Sequence, residues 1–239
     1  MAKKNQRLTI IYEDENYLVI DKPSGVASLD EHVFTVPSIL RLLKMDFPDA
    51  QLCHRLDKET SGCLLASKHN EAYRHAAILF EKRLVEKSYT AICNGTSSFD
   101  KLTIDLPLMT GSKRVRISHR YGKTAQTIIS TIEQFKHFSV IECKPLTGRT
   151  HQIRVHLSEQ NNPIVNDTLY GGEAPLLSKI KHHFHLSKSE EQESPIIERI
   201  ALHASGLSFD SIDGRRIEVR CPLSKELEAL LKILRRYDV

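Results

Sequence analysis

Four stretches of β-type sequence follow one another through the middle of the chain with no helical period between them: KSYTAICNG from Lys87, RVRISH from Arg114, TAQTIISTIEQF from Thr124 and HFSVIECKPL from His137. Each carries alternating or β-branched residues, the pattern of a strand lying on a half-buried surface. Strands in direct succession form a meander, which excludes an alternating βαβ fold. The expected class is α+β, with a mixed, largely antiparallel central sheet flanked by helices and loops.

The flanking sequence supplies the helices and two hairpins. Leu8 to Tyr12 and Tyr17 to Ile20 are β-rich runs separated by the turn formers Asp14, Glu15 and Asn16, a hairpin signal. A short helix is expected over Ser38 to Leu43, behind Pro37, and CLLAS after the charged stretch at 53–62 has strand length. His69 to Leu84 places Ala72, Ala76, Leu79, Phe80 and Leu84 at helical spacing, an amphipathic pattern. RTHQIRVHLSEQ returns to a helical period, and LTG before it supplies the turn and a capping threonine, Thr147. Glu173 to Pro195 reads as a loop. ALHASGLSF and RRIEVRCPL form a final hairpin across Asp213 and Gly214, and Lys225 to Arg236 is a Leu-rich helix.

With 239 residues, 40% hydrophobic and 27% charged, the chain can bury a real core. No Pro/Gly/Ser-rich linker offers a cut, so one domain over residues 1–239 is expected. No stretch reaches bilayer length and MAKKNQRLTI lacks the apolar segment of a signal peptide, so a cytoplasmic protein without a membrane partner is expected. Five scattered cysteines, Cys53, Cys63, Cys93, Cys143 and Cys221, suggest neither a disulfide frame nor a zinc site; they are expected reduced, several of them buried. HHFH at His182 to His185 has no matching carboxylate or cysteine set and reads as a solvated loop, so no metal is expected. The net charge of +4 permits a polyanionic partner without demanding one.

Three stretches embed charge in apolar sequence. In CHRLDKETSG, from Cys53 to Gly62, Asp57 stands between Arg55 and Lys58. Asp, Ser and Gly suit an ordinary surface turn. The cations on either side also favour an ionised carboxylate, which suits a nucleophile better than a general acid. In LTGRTHQIRVHL, Arg149 and Arg154 lie five apart and cannot face one partner along an ideal helix, so one guanidinium is expected to meet a carboxylate and the other a phosphate. Ile153, Val155 and Leu157 alternate too tightly with these charges for a freely exposed helix. In EKSYTAI, Tyr89 is either core filler or a flat face for stacking a base.

HRLDKETSG resembles the signature of the RluA-type pseudouridine synthases, which isomerise uridine within structured ribosomal or transfer RNA. DKPSG at Asp21, KSYTAICNG at Lys87, GKTAQT at Gly122, LTGRTHQIRVHL at Leu146, LYGG at Leu169 and LHASGLSF at Leu202 occur in that family's order, over nearly the whole chain. The resemblance implies a single catalytic domain without the amino-terminal S4 domain of many relatives. It implies Asp57 as the catalytic aspartate, Arg154 as its ion-pair partner, and Tyr89 as the aromatic that stacks on the target uracil. Arg55 corresponds to the arginine that fills the space left by an extruded uridine, and Lys87, Arg149 and His151 are expected to bind RNA with it. No cofactor and no obligate protein partner are implied; RNA, ribosomal or transfer, is the partner of an expected monomer. One departure stands out: Asn166 precedes Asp167 where the family commonly has glycine, and asparagine tolerates the positive φ that such a turn requires.

Lys113, Arg114, Arg116, His119 and Arg120 are candidates for phosphate contact or a solvated strand face. Two rival functions remain. DKET would suit an aspartyl-phosphate site only with an apolar strand leading into the aspartate and further acidic residues for magnesium, whereas CHR precedes it here. A non-catalytic RNA-binding or RNA-chaperone protein on the same fold is the other.

Overall fold

Asp14 closes the first hairpin: its carboxylate accepts the backbone N–H groups of Asn16 and Tyr17 at 2.8 and 2.6 Å and the Tyr12 hydroxyl at 2.7 Å, the local bonding that makes aspartate a turn former. The computed structural model describes residues 8–30, 36–111, 114–181, 184 and 193–239. In chain order its elements are β1 (Thr9–Glu13), β2 (Tyr17–Lys22), α1 (Ile39–Asp46), β3 (Gln51–Leu52), β4 (Ser61–Ser67) and α2 (Asn70–Glu81). Strands β5 (Glu86–Asn94), β6 (Leu102–Asp105), β7 (Leu108–Met109), β8 (Arg116–Ile117), β9 (Gln126–Gln134) and β10 (Phe138–Pro145) follow without a helix. Then come α3 (Gln152–Glu159), a 3-10 turn (Thr168–Tyr170), α4 (Leu177–Ile180), β11 (Leu202–Asp210), β12 (Arg216–Arg220) and α5 (Lys225–Tyr237). The class is the expected α+β, its sheet mixed and largely antiparallel.

Two compact units divide the chain, Met1–Ser88 with His203–Pro222 and Tyr89–Leu202 with Leu223–Val239. In the first unit β1 pairs β2 and β2 pairs β4, both antiparallel, while β4 runs parallel to β11 through His203↔Ser61 and Ala204↔Gly62. All seven residues of β4 are buried. Because side chains alternate sides along a strand, both faces of β4 must be covered. Gly62 lies at φ +103°, and a Cβ there would run into the Ala204 carbonyl, so this close strand approach requires glycine. Helix α1 starts at Ser38, whose hydroxyl accepts the Arg41 N–H at 3.2 Å. Helix α2 buries Ala72, Ala76 and Leu79 as expected, but it stops at Lys82, and Leu84, beyond the left-handed Arg83, is 53% exposed.

In the second unit the expected antiparallel strands are present but not as a meander: β5, β10, β9 and β6 pair in that order, each antiparallel to the next, so β5 lies beside β10 and not beside β6, its successor in the chain. Its core joins strand residues such as Ile92, Ile129 and Ile141 to Ile153 and Leu157 of α3. Leu227, Leu230, Leu231 and Leu234 of α5, spaced as one helical face, pack into the same core.

Two further expectations need correction. RVRISH is not part of the large sheet: only Arg116 and Ile117 form a strand, paired with β7 in a separate two-stranded sheet. Ser118 ends it by turning the chain, its hydroxyl accepting Tyr121 N–H at 3.1 Å and its carbonyl accepting Gly122 N–H at 2.8 Å. The loop expected over 173–195 contains the single-turn helix α4. Of the HHFH stretch, His182, His183 and His185 lie outside the described residues. Four of the five cysteines are buried and all five are free. Among the described residues no helix is long and apolar enough to cross a membrane.

Candidate active site

The Asp57 loop joins β3 to β4, and the DKPSG loop clamps it through its backbone. Lys22 is wholly buried. Its ammonium donates to the carbonyls of Pro23, Val26 and Lys58 at 2.8, 2.7 and 2.9 Å, which repays the loss of water around the charge. Ser24 Oγ donates to the Glu59 carbonyl at 2.6 Å, and Gly25 N–H to the Lys58 carbonyl at 2.9 Å. Ser28 Oγ both donates to the Leu56 carbonyl, at 2.8 Å, and accepts the Leu56 N–H, at 3.1 Å. Leu56 is thereby buried, while Thr60 N–H turns back to the Asp57 carbonyl at 3.1 Å. The clamp leaves Asp57 half-buried, with Arg55 and Lys58 exposed on either side.

His54 anchors the start of this loop. Its Nε2 accepts the Leu65 N–H at 3.0 Å, so the neutral ring carries its proton on Nδ1, and the ring packs 5.0 Å from that of Phe80. Burial, with the Lys87 charge adding to it, lowers the His54 pKa to about 3. Burial also lowers the Lys87 pKa to about 8, which weakens its expected role as a fixed cation for RNA. Ser61 and His203 meet at 2.8 Å, and His203 Nε2 lies 3.2 Å from the Cys221 carbonyl. Both side chains are buried, 2% and 0% exposed, so this serine–histidine contact joins β4 to β11 and is not an accessible nucleophile.

In the second unit α3 is buried along six consecutive residues, Gln152 to Leu157, as the tight alternation of charge and apolar residues requires. The expected threonine cap is not made. The N-cap is His151, in the left-handed conformation with φ 53° and without a side-chain cap bond. Thr147 instead accepts the Gln126 N–H at 3.0 Å and donates to Gln152 Oε1 at 2.7 Å, an oxygen that also accepts the Arg149 N–H at 3.0 Å. Gln152 Nε2 donates to the Gln126 carbonyl and to Thr127 Oγ1, both at 2.9 Å, and Thr127 Oγ1 meets His156 Nδ1 at 2.9 Å. Buried polar groups must find partners; here side chains of α3 find them on β9, which fixes the helix against the sheet. Burial lowers the His156 pKa.

Arg154 is 7% exposed, and its Nε and Nη2 donate to the two carboxylate oxygens of Asp167 at 2.6 and 2.7 Å. This fork is the strong bidentate geometry of guanidinium and carboxylate, and it uses two of the five N–H donors. Tyr170 supports the guanidinium with its ring 5.0 Å away. Its hydroxyl accepts the Val115 N–H at 3.0 Å and meets His151 Nδ1 at 2.8 Å. The turn that delivers Asp167 requires a left-handed residue, and Asn166 supplies it at φ 63°, the role expected of asparagine there. Arg149, outside the helix, donates to the Thr124 carbonyl at 3.1 Å. Tyr89 is half-buried on β5, opposite Cys143, and packs against the core of this unit.

Of the sequence candidates, Arg55, Asp57 and Lys87 thus belong to the first unit and Tyr89, Arg149, His151 and Arg154 to the second. Sequence reading missed Asp167, Tyr170 and Lys22. Each lay in or beside a stretch already singled out, LYGG or DKPSG, but nothing in local spacing discloses a partner so far along the chain. Among the described residues no group of three His, Cys, Asp or Glu side chains is placed to hold a metal ion.

The family model of RNA pseudouridylate synthases matches residues 16–159. Ribosomal large subunit pseudouridine synthase C of Pasteurella multocida is 33% identical over 95% of this chain and 68% of that protein. The protein of the same name from Escherichia coli is 31% identical over 95% of this chain and 70% of its own length. Among solved structures, human RNA pseudouridylate synthase domain containing 1 superposes with a TM-score of 0.70 at 26% identity, covering 98% of this chain and 97% of that one.

Proposed function

We propose, since this chain belongs to the RNA pseudouridylate synthase family, that it isomerises specific uridines of structured RNA with Asp57 as the catalytic residue. What supports the residue assignment is that the matched segment, 16–159, contains Asp57, Tyr89 and Arg154 together. The names of the curated relatives favour large-subunit ribosomal RNA as the substrate over transfer RNA.

Isomerisation breaks the bond between C1′ and N1, turns the freed uracil and joins C1′ to C5; the C5 proton leaves and N1 gains one, so no redox change occurs. A stacked base hides its glycosidic bond, so the uridine is flipped out at a cost of a few kcal/mol. Arg55, exposed at the head of the loop, fills the space left in the helix and offsets part of that cost. Asp57 serves as nucleophile or base in glycosidic cleavage. Its loop is held by backbone clamps, so the carboxylate needs little reorganisation to react. Arg154, aimed by the Asp167 fork, is the ion-pair partner of Asp57, and Tyr89 stacks on the uracil. Arg149, His151 and Lys87 contact the RNA backbone, and the protein acts as a monomer in the cytoplasm.

The test is carbodiimide mapping of pseudouridine by primer extension on total RNA from cells with the gene, without it, and with only Asp57→Asn. A modified site absent from both the deletion and the variant strain establishes the activity and names the uridine. A map unchanged by deletion returns the protein to the non-catalytic RNA-binding reading.

A further inference from the structure

Strand β3 ends at Leu52, just ahead of the loop that carries Arg55 and Asp57, and the last rung of its ladder is half side chain. Gln51 and Leu52 pair with Ser67 and Ala66 of β4, so the next antiparallel pair is Cys53 with Leu65. A hydrogen-bonded pair of this kind exchanges two main-chain bonds. Cys53 N–H does donate to the Leu65 carbonyl, at 2.9 Å. The return bond is diverted: Leu65 N–H donates to His54 Nε2, at 3.0 Å, where a regular ladder uses the Cys53 carbonyl. Leu65 is fully buried, and a buried N–H must have an acceptor. An imidazole thus stands in for a backbone carbonyl, and the main chain is released from the sheet one residue before Arg55.

The same ring reaches the loop it releases. The Arg55 backbone hydrogen-bonds it, and because Nε2 is already an acceptor, the contact falls to Nδ1–H, which donates. Phe80 of α2 packs against the ring at 5.0 Å. One side chain therefore ties β4, α2 and the start of the Asp57 loop together, while Ser28, Lys22 and Ser24 hold the loop further on, at Leu56, Lys58 and Glu59. His54 is not placed to move a proton itself: its acceptor nitrogen is occupied, and burial beside the Lys87 charge keeps the ring neutral, with a pKa of about 3. What it supplies is one tautomer in one orientation, unchanged across the neutral pH range.

We propose that His54 is a positioning residue for the reaction: by replacing a main-chain acceptor at the end of the β3–β4 ladder, it sets where the chain leaves the sheet and so where Arg55 and Asp57 meet the RNA. The proposal rests on the Asp57 assignment above and adds the residue through which the fold aims that loop. The test uses the full-length protein and the RNA identified by the pseudouridine map. His54→Leu fills the space but accepts nothing; it should slow single-turnover conversion by about 10^2-fold, the cost of a misplacement of about 1 Å, with the Kd for the RNA within about threefold of the parent. His54→Gln carries an oxygen that can take the Leu65 N–H and should restore the rate to within about threefold of the parent. Circular dichroism establishes that each variant is folded under the assay conditions. In the 15N-labelled parent, Nε2 should read as the unprotonated ring nitrogen, and the Leu65 amide should exchange slowly in the parent and in His54→Gln but faster in His54→Leu. Should His54→Leu fail to fold, the His54→Gln rate and the parent tautomer decide. A His54→Leu protein as fast as the parent, a folded His54→Gln protein slowed by about 10^2-fold, a rate loss that only mirrors lost RNA affinity, or a proton on Nε2 would each overturn the role. A parent that converts no uridine loses the isomerase assignment and this role with it; a parent that converts uridine at a rate indifferent to residue 54 loses this role alone.

Discussion

HRLDKETSG and GRTHQIRVHL both set charged side chains among apolar ones, yet they lie in opposite environments. The first is a loop whose backbone is gripped by Lys22, Ser24, Gly25 and Ser28 while Arg55 and Lys58 reach into solvent. The second is a buried helix in which the side chains themselves are gripped, Arg154 by Asp167 and Gln152 by β9. A charge held through its backbone can be exchanged at little cost to the fold. A buried charge held by its side chain belongs to the core, because removing its partner leaves an ion without water. Activity and stability should therefore separate in the first motif and fall together in the second.

The sharpest break between them is Asp57→Asn. Pseudouridine formation should drop at least about 10^3-fold, measured in single turnover on the mapped RNA, while the urea midpoint changes by the equivalent of less than about 0.5 kcal/mol. Asp167→Ala should do the reverse first: a loss of about 3–5 kcal/mol in urea denaturation, with activity reduced even under conditions where the variant is folded. If Asp167→Ala were as stable as the parent, the fork would not be a core interaction and the contrast would fail.

His54 gives the first motif a pH signature. Its folded pKa of about 3 lies below the ordinary value of 6.5, so the unfolded chain binds the proton more readily. Its contribution is therefore complete above about pH 6.5 and is lost as pH falls toward 3, by up to about 1.4 kcal/mol per pH unit. Urea midpoints taken from pH 7 to pH 4 should fall more steeply for the parent than for His54→Gln. A smaller effect is expected from Ser28→Ala, about 1–2 kcal/mol, because the buried Leu56 N–H and carbonyl both lose a partner. Here stability and turnover should decline together, since the substitution loosens the backbone that carries Asp57; calorimetry and the same turnover assay read the two effects.

Much of this architecture was legible beforehand for a local reason. Strand alternation in β9, the leucine face of α5 and the turn chemistry of Asp14 are written within a few residues of where they act. Positive φ at Asn166 was likewise a property of one residue type at one turn. RVRISH misled because two strand-like residue pairs also suit a short hairpin, and Ser118 turned the chain before a third could pair. Thr147 misled because its hydroxyl had a better use on Gln126 and Gln152 than at the helix end.

By itself the sequence determined the α+β class, the antiparallel strands, the helix faces and the family, all of which depend on patterns repeated along the chain. Only the tertiary structure decided that Lys22 grips a carbonyl 36 residues away and that Arg154 is matched by a carboxylate 13 residues on. The physical reason is that such pairings are set by desolvation: which charges lose water, and which groups stand close enough to replace it, is known only once the chain has closed on itself.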